Sequence, residues 1–144
     1  MKVENAVYPL PEQLRALFQA PAPDGPIVMV NLLKFRERAI YPDGSDSELS
    51  GREAYMRYAR AVGALIESIG GSVVYVGDVS FLAIGSVEQL WDEVALARYP
   101  SRAEFLRMTT SPDWREIEVH REAGLEGQLN IETVPSESAI RAGR

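Results

Sequence analysis

The apolar positions switch between two spacings along the chain. Residues 27–36, IVMVNLLKFR, form a run rich in β-branched side chains and bounded by Pro26, the pattern of a strand. Ile27, Met29, Leu33 and Phe35 share one face, and Val28, Val30 and Leu32 the other, so both faces are expected to be covered. Asn31 is the polar interruption. Further on, Tyr55, Tyr58, Val62, Leu65, Ile66 and Ile69 recur at three- and four-residue steps, the buried stripe of a helix. Ser50-Gly51-Arg52-Glu53 opens that helix as a capping box, and Gly70-Gly71 ends it. Residues 72–85 return to an extended pattern, with a bulge or break expected at Gly77-Asp78. Residues 90–99 form the next strand, close enough for an antiparallel hairpin. Pro100 stops the ladder, and Ser101 to Glu104 reads as a second capping box. Ser111-Pro112 starts a further helix in which Trp114, Ile117 and Arg121 align and His120 sits beside them. Gly124 closes it, and residues 127–134 are the last strand.

The order is (α)-β-α-β-β-α-β. This predicts an α+β domain of the ferredoxin-like, split βαβ kind: a four-stranded antiparallel sheet with helices on one face. Residues 1–26 are expected to be an extension with a short helix and a Pro-rich linker, 27–134 the ferredoxin-like domain, and 135–144 a flexible tail. Residues 37–49 are expected to be a long, solvated loop, or else a lid or contact loop. Strands apolar on both faces need a cover on the side without helices. A second copy packed sheet to sheet, a homodimer closing an α/β barrel, is the simplest one.

Composition narrows the function classes. A net charge of -6 argues against a phosphate-backbone binder, and no nucleic-acid motif is present. With no cysteine and one histidine, the chain cannot assemble a usual structural zinc set by itself. No apolar run approaches the ~20 residues that span a bilayer, and no signal peptide is recognisable. A cytoplasmic protein with no membrane contact is the expectation.

Several elements together resemble a known family. They are Tyr55-x-x-Tyr58-Ala59, Gly70-Gly71, Tyr99-Pro100-Ser101, Asp113-Trp114 and the helical Arg121. In that order and spacing the chain is similar to the uncharacterised group called domain of unknown function, family 1330, over residues 27–134. It departs from the pattern at Tyr99, where the family usually carries Phe, and in its N-terminal extension and 37–49 loop. The resemblance implies a dimeric α+β barrel and no particular reaction.

Five residues stand out as candidates to line a substrate site: Asn31, Tyr58, Arg98, His120 and Arg121. A buried amide such as Asn31 must be hydrogen-bonded, since leaving it unpaired costs on the order of 2–7 kcal/mol by transfer scales. Arg98 and Arg121 can clamp a carboxylate, against pairing with Asp92 or Glu118. Tyr58 falls on a buried stripe and needs a hydroxyl partner. His120 is a candidate base near neutral pH. Together they suggest a metal-free site for a small anionic or carbonyl-bearing metabolite, with cofactor-independent monooxygenases and isomerases as fold analogues. Two alternatives remain: a haem-binding or haem-degrading protein using Asn31 with His120, and a non-catalytic dimeric binding module.

Overall fold

The computed structural model describes residues 1–136. Eight elements follow in order: α1 Pro11–Gln19, β1 Ile27–Phe35, α2 Gly51–Ser68, β2 Ser72–Asp78, β3 Glu93–Tyr99, α3 Arg102–Thr109, α4 Pro112–Gly124 and β4 Leu125–Thr133. The strands form one antiparallel sheet in the order β2-β3-β1-β4. The expected ferredoxin-like arrangement is therefore present. Most of the tail expected from residue 135 lies outside the described residues.

Local chemistry sets the helix ends. Ser50 and Glu53 form the reciprocal box, with Glu53 N–H donating to Ser50 Oγ at 3.0 Å and Ser50 N–H donating to Glu53 Oε1 at 2.9 Å. The Ser50 amide, and then the Ser50 hydroxyl, hold the Glu53 carboxyl below its ordinary pKa. Only half of the second box forms. Ser101 Oγ accepts from the Glu104 amide, while the Glu104 carboxylate turns to Arg107. Ser111 caps α4 through the Trp114 amide, with Pro112 in the first turn.

The helical side of the sheet carries the main core. Ile27 and Met29 of β1 and Ala97 and Tyr99 of β3 pack against Val62 and Ile66 of α2 and Met108 of α3. A second cluster joins Leu33 and Phe35 to Tyr55 and Leu125. The 37–49 segment is mostly exposed, as a solvated loop would be, but two of its side chains anchor it. It folds back so that Ala39 and Tyr41 pack on Ala54 of α2 and Ala123 of α4, with Leu49 and Val119 beside them. Asp46 takes a left-handed backbone conformation (φ 51°) in that segment.

Two expectations about the hairpin change. The ladder is bulged between Val73 and Tyr75 rather than at Gly77. Gly77 instead leaves room for the Tyr75 ring, which a Cβ there would meet at 2.7 Å. β2 also ends at Asp78 and not near residue 85, because β3 begins only at Glu93 and offers no further partner. The Asp92 backbone still bonds to Leu33 and Val79, while its side chain turns to act as an acceptor. Its Oδ2 takes the Phe35 N–H at 2.8 Å and its Oδ1 meets Lys34 Nζ at 3.3 Å.

The start of α2 and the end of α4 meet backbone to backbone. Gly51 N–H donates to Arg36 O and Arg36 N–H donates to Gly124 O. A Cβ on Gly124 would lie 2.8 Å from the Tyr55 nitrogen, and one on Gly51 would lie 2.6 Å from the Arg36 nitrogen. Neither neighbour is a movable side-chain end. Gly124→Ala is expected to lower stability by about 1–3 kcal/mol through overpacking, seen as a lower urea midpoint at unchanged slope. An unchanged midpoint would show that the two helices can part at no cost.

Candidate functional site

A cavity of about 1070 Å³ opens between the helical face of the sheet and the helices. Met29, Ala97, Val62 and Phe105 supply apolar wall, and α1 with residues 6–9 closes one side. The polar groups come mostly from the sheet and from α4, and the register explains why. Asn31 stands opposite Asn130 and Leu33 opposite Gln128, so Gln128, Asn130 and Glu132 of β4 point to the same side as the core residues of β1. Leu129 and Ile131 point to the other side. β4 is thus inverted relative to an ordinary surface strand, with its polar stripe under the helices.

Asn31 is fully satisfied within the protein. Its Nδ2 donates to Ala95 O at 3.2 Å and Met29 O at 3.4 Å. Its Oδ1 accepts from Gln128 Nε2 at 2.7 Å and Asn130 Nδ2 at 2.6 Å. The amide is a hub that crosslinks β1, β3 and β4 at the cavity floor. Arg121 extends the network, its Nη2 donating to Gln128 Oε1 at 2.8 Å and to Val7 O at 2.6 Å. Both partners are neutral, and among the described residues no carboxylate lies within ion-pair distance of Arg121. Arg102, also on the wall, differs: Glu132 neutralises it at 2.7 Å and thereby holds its own carboxyl below the ordinary range.

Tyr58 accepts from Trp114 Nε1 at 3.2 Å, which leaves its own hydroxyl proton available to the cavity. Tyr55 and Tyr99 are buried beside it, and no hydrogen bond from either hydroxyl is seen among the described residues. Burial raises all three phenols above their ordinary pKa, while the Arg121 charge pulls Tyr55 and Tyr58 back down. They are neutral proton donors at physiological pH. Glu118, on the same helix face as Arg121, is raised by desolvation and then by the neighbouring Glu122. A cation, phenol donors and a protonatable carboxyl in an apolar space can hold a carbonyl or enolate oxygen and move a proton near it.

Two sequence candidates lie elsewhere. Arg98 pairs in register with Val28 and Ser72 and belongs to the opposite face of the sheet. His120 lies one residue before Arg121, about 100° round the helix, and reaches the 37–49 segment. Its Nδ1 is 2.7 Å from the Tyr41 hydroxyl, which also accepts from Arg57 Nη1 at 3.2 Å. That group, with Arg57 paired to Asp46 at 2.9 Å, edges a separate cavity of about 380 Å³. Of the five candidates, Asn31, Tyr58 and Arg121 line one cavity, and Arg98 and His120 do not. The haem alternative needed Asn31 and His120 on one cofactor. They face different cavities and His120 is engaged by Tyr41, so these residues do not fit such a site. Gln128 and Asn130 were missed, although the strict alternation of polar Gln128, Asn130 and Glu132 with apolar residues was the readable signal; Tyr55 and Tyr99 join Tyr58 on the wall.

A family model described as "Domain of unknown function (DUF1330)" matches residues 45–133. The chain belongs to that family. Among solved structures, the DUF1330 chain is similar to RPA0582, a protein of unknown function from Rhodopseudomonas palustris. The two are 38% identical with a TM-score of 0.82, over 93% of this chain and 99% of that one. The methylated RPA0582 protein gives 39% identity and a TM-score of 0.82, over 92% and 96%. A dabb family protein with a ferredoxin-like fold from Mesorhizobium loti is more distant, at 17% identity and a TM-score of 0.46, over 78% and 98%. No functionally curated protein matches the chain. Among the described residues of this DUF1330 member, no helix is long and apolar enough to cross a membrane, and no group of three or more His, Asp or Glu is placed to hold a metal ion.

The His120 contact gives a pH signature. Desolvation first, and then the Arg57 charge, lower the His120 pKa, with Asp46 opposing. Tyr41 and Asp43 complete its surroundings, and hydrogen bonds from Ser45 hold the Asp43 carboxyl low, outside the histidine range. The unfolded chain therefore takes up the imidazole proton first. Stability should fall as pH drops below about 6.5 and through the lower folded value, with no contribution above. His120→Gln should flatten the melting temperature across that window. Parallel curves for the two proteins would remove His120 as the cause.

Proposed function

We propose that this protein is a homodimer that binds a compact, mostly apolar small molecule carrying one anionic or carbonyl oxygen, with the oxygen held by Arg121 and Tyr58 and no metal involved. The observation that carries the reading is the Arg121 guanidinium: charged, half-buried, and bonded only to neutral acceptors at the edge of a tyrosine-lined cavity. A cation in such a place interacts most strongly with charge brought or developed by a ligand. The cavity is at the upper end of the ~300–1,000 Å³ usual for small-molecule sites. Proton transfer on the bound molecule is chemistry that Tyr58 and Glu118 support.

2-Naphthoate serves as a flat anionic probe and naphthalene as its uncharged control. Arg121→Gln should weaken naphthoate about tenfold or more, since a hydrogen bond to a charged group is worth about 1.5–3 kcal/mol, and should leave naphthalene nearly unchanged. Calorimetry showing equal naphthoate affinity in both proteins would end this reading.

The homodimer rests on the sheet face opposite the helices. Val28, Val30 and Leu32 of β1, Val94 and Leu96 of β3, and Leu129 and Ile131 of β4 lie there together. Tyr75 (57% exposed) continues the surface, and Phe81 (81%) and Ile84 (92%) stand out from the segment that follows β2. A contiguous apolar surface of this kind marks an association site, and a second copy of the same face is its simplest complement. Light scattering should give twice 16.0 kDa at low micromolar concentration. Ile131→Lys should halve that mass without loss of helical circular dichroism; a wild-type monomer would refute the dimer.

A further inference from the structure

One of the positions on Arg121 that a ligand oxygen would take, at Nη2, is filled by the chain itself, and a carboxylate gripping the guanidinium through two nitrogens needs that position. Val7 O accepts from Arg121 Nη2 at 2.6 Å. Apart from Val7, whose side chain packs on the Leu33, Phe35, Tyr55 and Leu125 cluster, the segment is held by few contacts. Ala6 and Gln128 exchange two backbone hydrogen bonds, 3.1 and 2.9 Å, as an isolated bridge on the outer edge of β4. Asn5 Oδ1 accepts from Trp91 Nε1 at 2.7 Å, and the segment crosses directly over Gly127, where a Cβ would lie 2.7 Å from the Asn5 Cβ. Asn5 and Ala6 are exposed, and α1, which follows, buries no residue. Tyr8, beside Val7 on the cavity rim, has its phenol pushed up to about 12 by desolvation and by the neighbouring Glu122.

Resting on the cavity reading above, we propose that residues 5–9 are an intramolecular placeholder: a ligand carboxylate, phenolate or enolate oxygen displaces the Val7 carbonyl from Arg121, and the segment leaves the β4 edge as the cavity fills. An amide carbonyl is a neutral acceptor, whereas a carboxylate makes a charge-assisted and potentially bidentate bond to guanidinium, so the exchange favours an anionic oxygen over the placeholder. The same Gln128 carries both the bridge to Ala6 and the side-chain bond to Arg121. Occupancy at the guanidinium and docking of the segment therefore share one residue. The ligand class follows: a compact apolar body ending in an oxygen with negative charge, with uncharged analogues unable to dislodge the segment.

The full chain is titrated with 2-naphthoate while amide hydrogen exchange is followed at Ala6 and Gln128. Saturation should speed exchange at both amides severalfold, and naphthalene should not. Ala6→Pro removes one bridging N–H, so the competitor is weakened and naphthoate should bind up to about fivefold more tightly. Unchanged or slower exchange on saturation, or unchanged or weaker naphthoate binding by Ala6→Pro, would overturn the placeholder. If Arg121→Gln still loses naphthoate in that case, the cavity reading stands alone; if it does not, both fall. The exchange measurement needs no variant and decides the matter even if Ala6→Pro folds poorly.

Discussion

The cavity depends on a junction made of backbone. Arg36, just beyond β1, donates to Gly124 at the end of α4 and accepts from Gly51 at the start of α2. Two helix ends and a strand exit are thereby tied without an intervening side chain. Buried backbone groups must be paired, and here each pairs across elements distant in sequence. Because α2 and α4 touch at Gly51 and Gly124, α4 goes straight into β4, and its Trp114, Glu118 and Arg121 are set over the sheet rather than beside it. Arg52, the next residue, caps the same end: it lies over the Phe35 ring at 4.7 Å and pairs with buried Glu93 at 2.9 Å. Desolvation raises the Glu93 pKa despite that ion pair, so the pair specifies geometry more than it adds stability.

Inside the cavity, the polar groups divide by whether the protein has already satisfied them. Asn31 has used both donors and both acceptor positions, so its role is to lock three strands. Tyr58 has accepted a bond but keeps a proton, and Arg121 has accepted neutral company for a full charge. Only groups of this second kind gain by meeting a ligand, because a ligand oxygen replaces something weaker than itself.

Most of the fold could be read from the sequence because its helices and central strand obey a single period. The α2 stripe from Tyr55 through Val62 to Ile66 and the two faces of β1 are local patterns that packing leaves intact. The errors share a cause. Residues 79–85 and 90–92 are apolar enough to resemble strand, yet a strand exists only where a neighbour supplies a ladder, and that depends on where β3 begins. In β4 the polar alternation was visible, but which side it faced was set by register with Asn31, a contact about a hundred residues away in sequence.

The same reasoning separates His120 from Arg121. Adjacent residues on a helix point about 100° apart, so sequence proximity argues against a shared site more than for one. The spacing Trp114, Ile117, Glu118, Arg121 marks one side of α4, and Trp114, Glu118 and Arg121 reach the cavity. Val119 and Ala123 mark the other side, which meets Tyr41 and the 37–49 segment, and His120 follows them. One short amphipathic helix thus serves two cores: a mostly apolar cavity with a few polar groups on the sheet side, and on the outer side a small apolar cluster closed by the bonds of His120 and Arg57 to Tyr41. Because the outer cluster is built from Ala39, Tyr41, Leu49, Ala54, Val119 and Ala123, it holds α4 in place without using any group that the cavity requires.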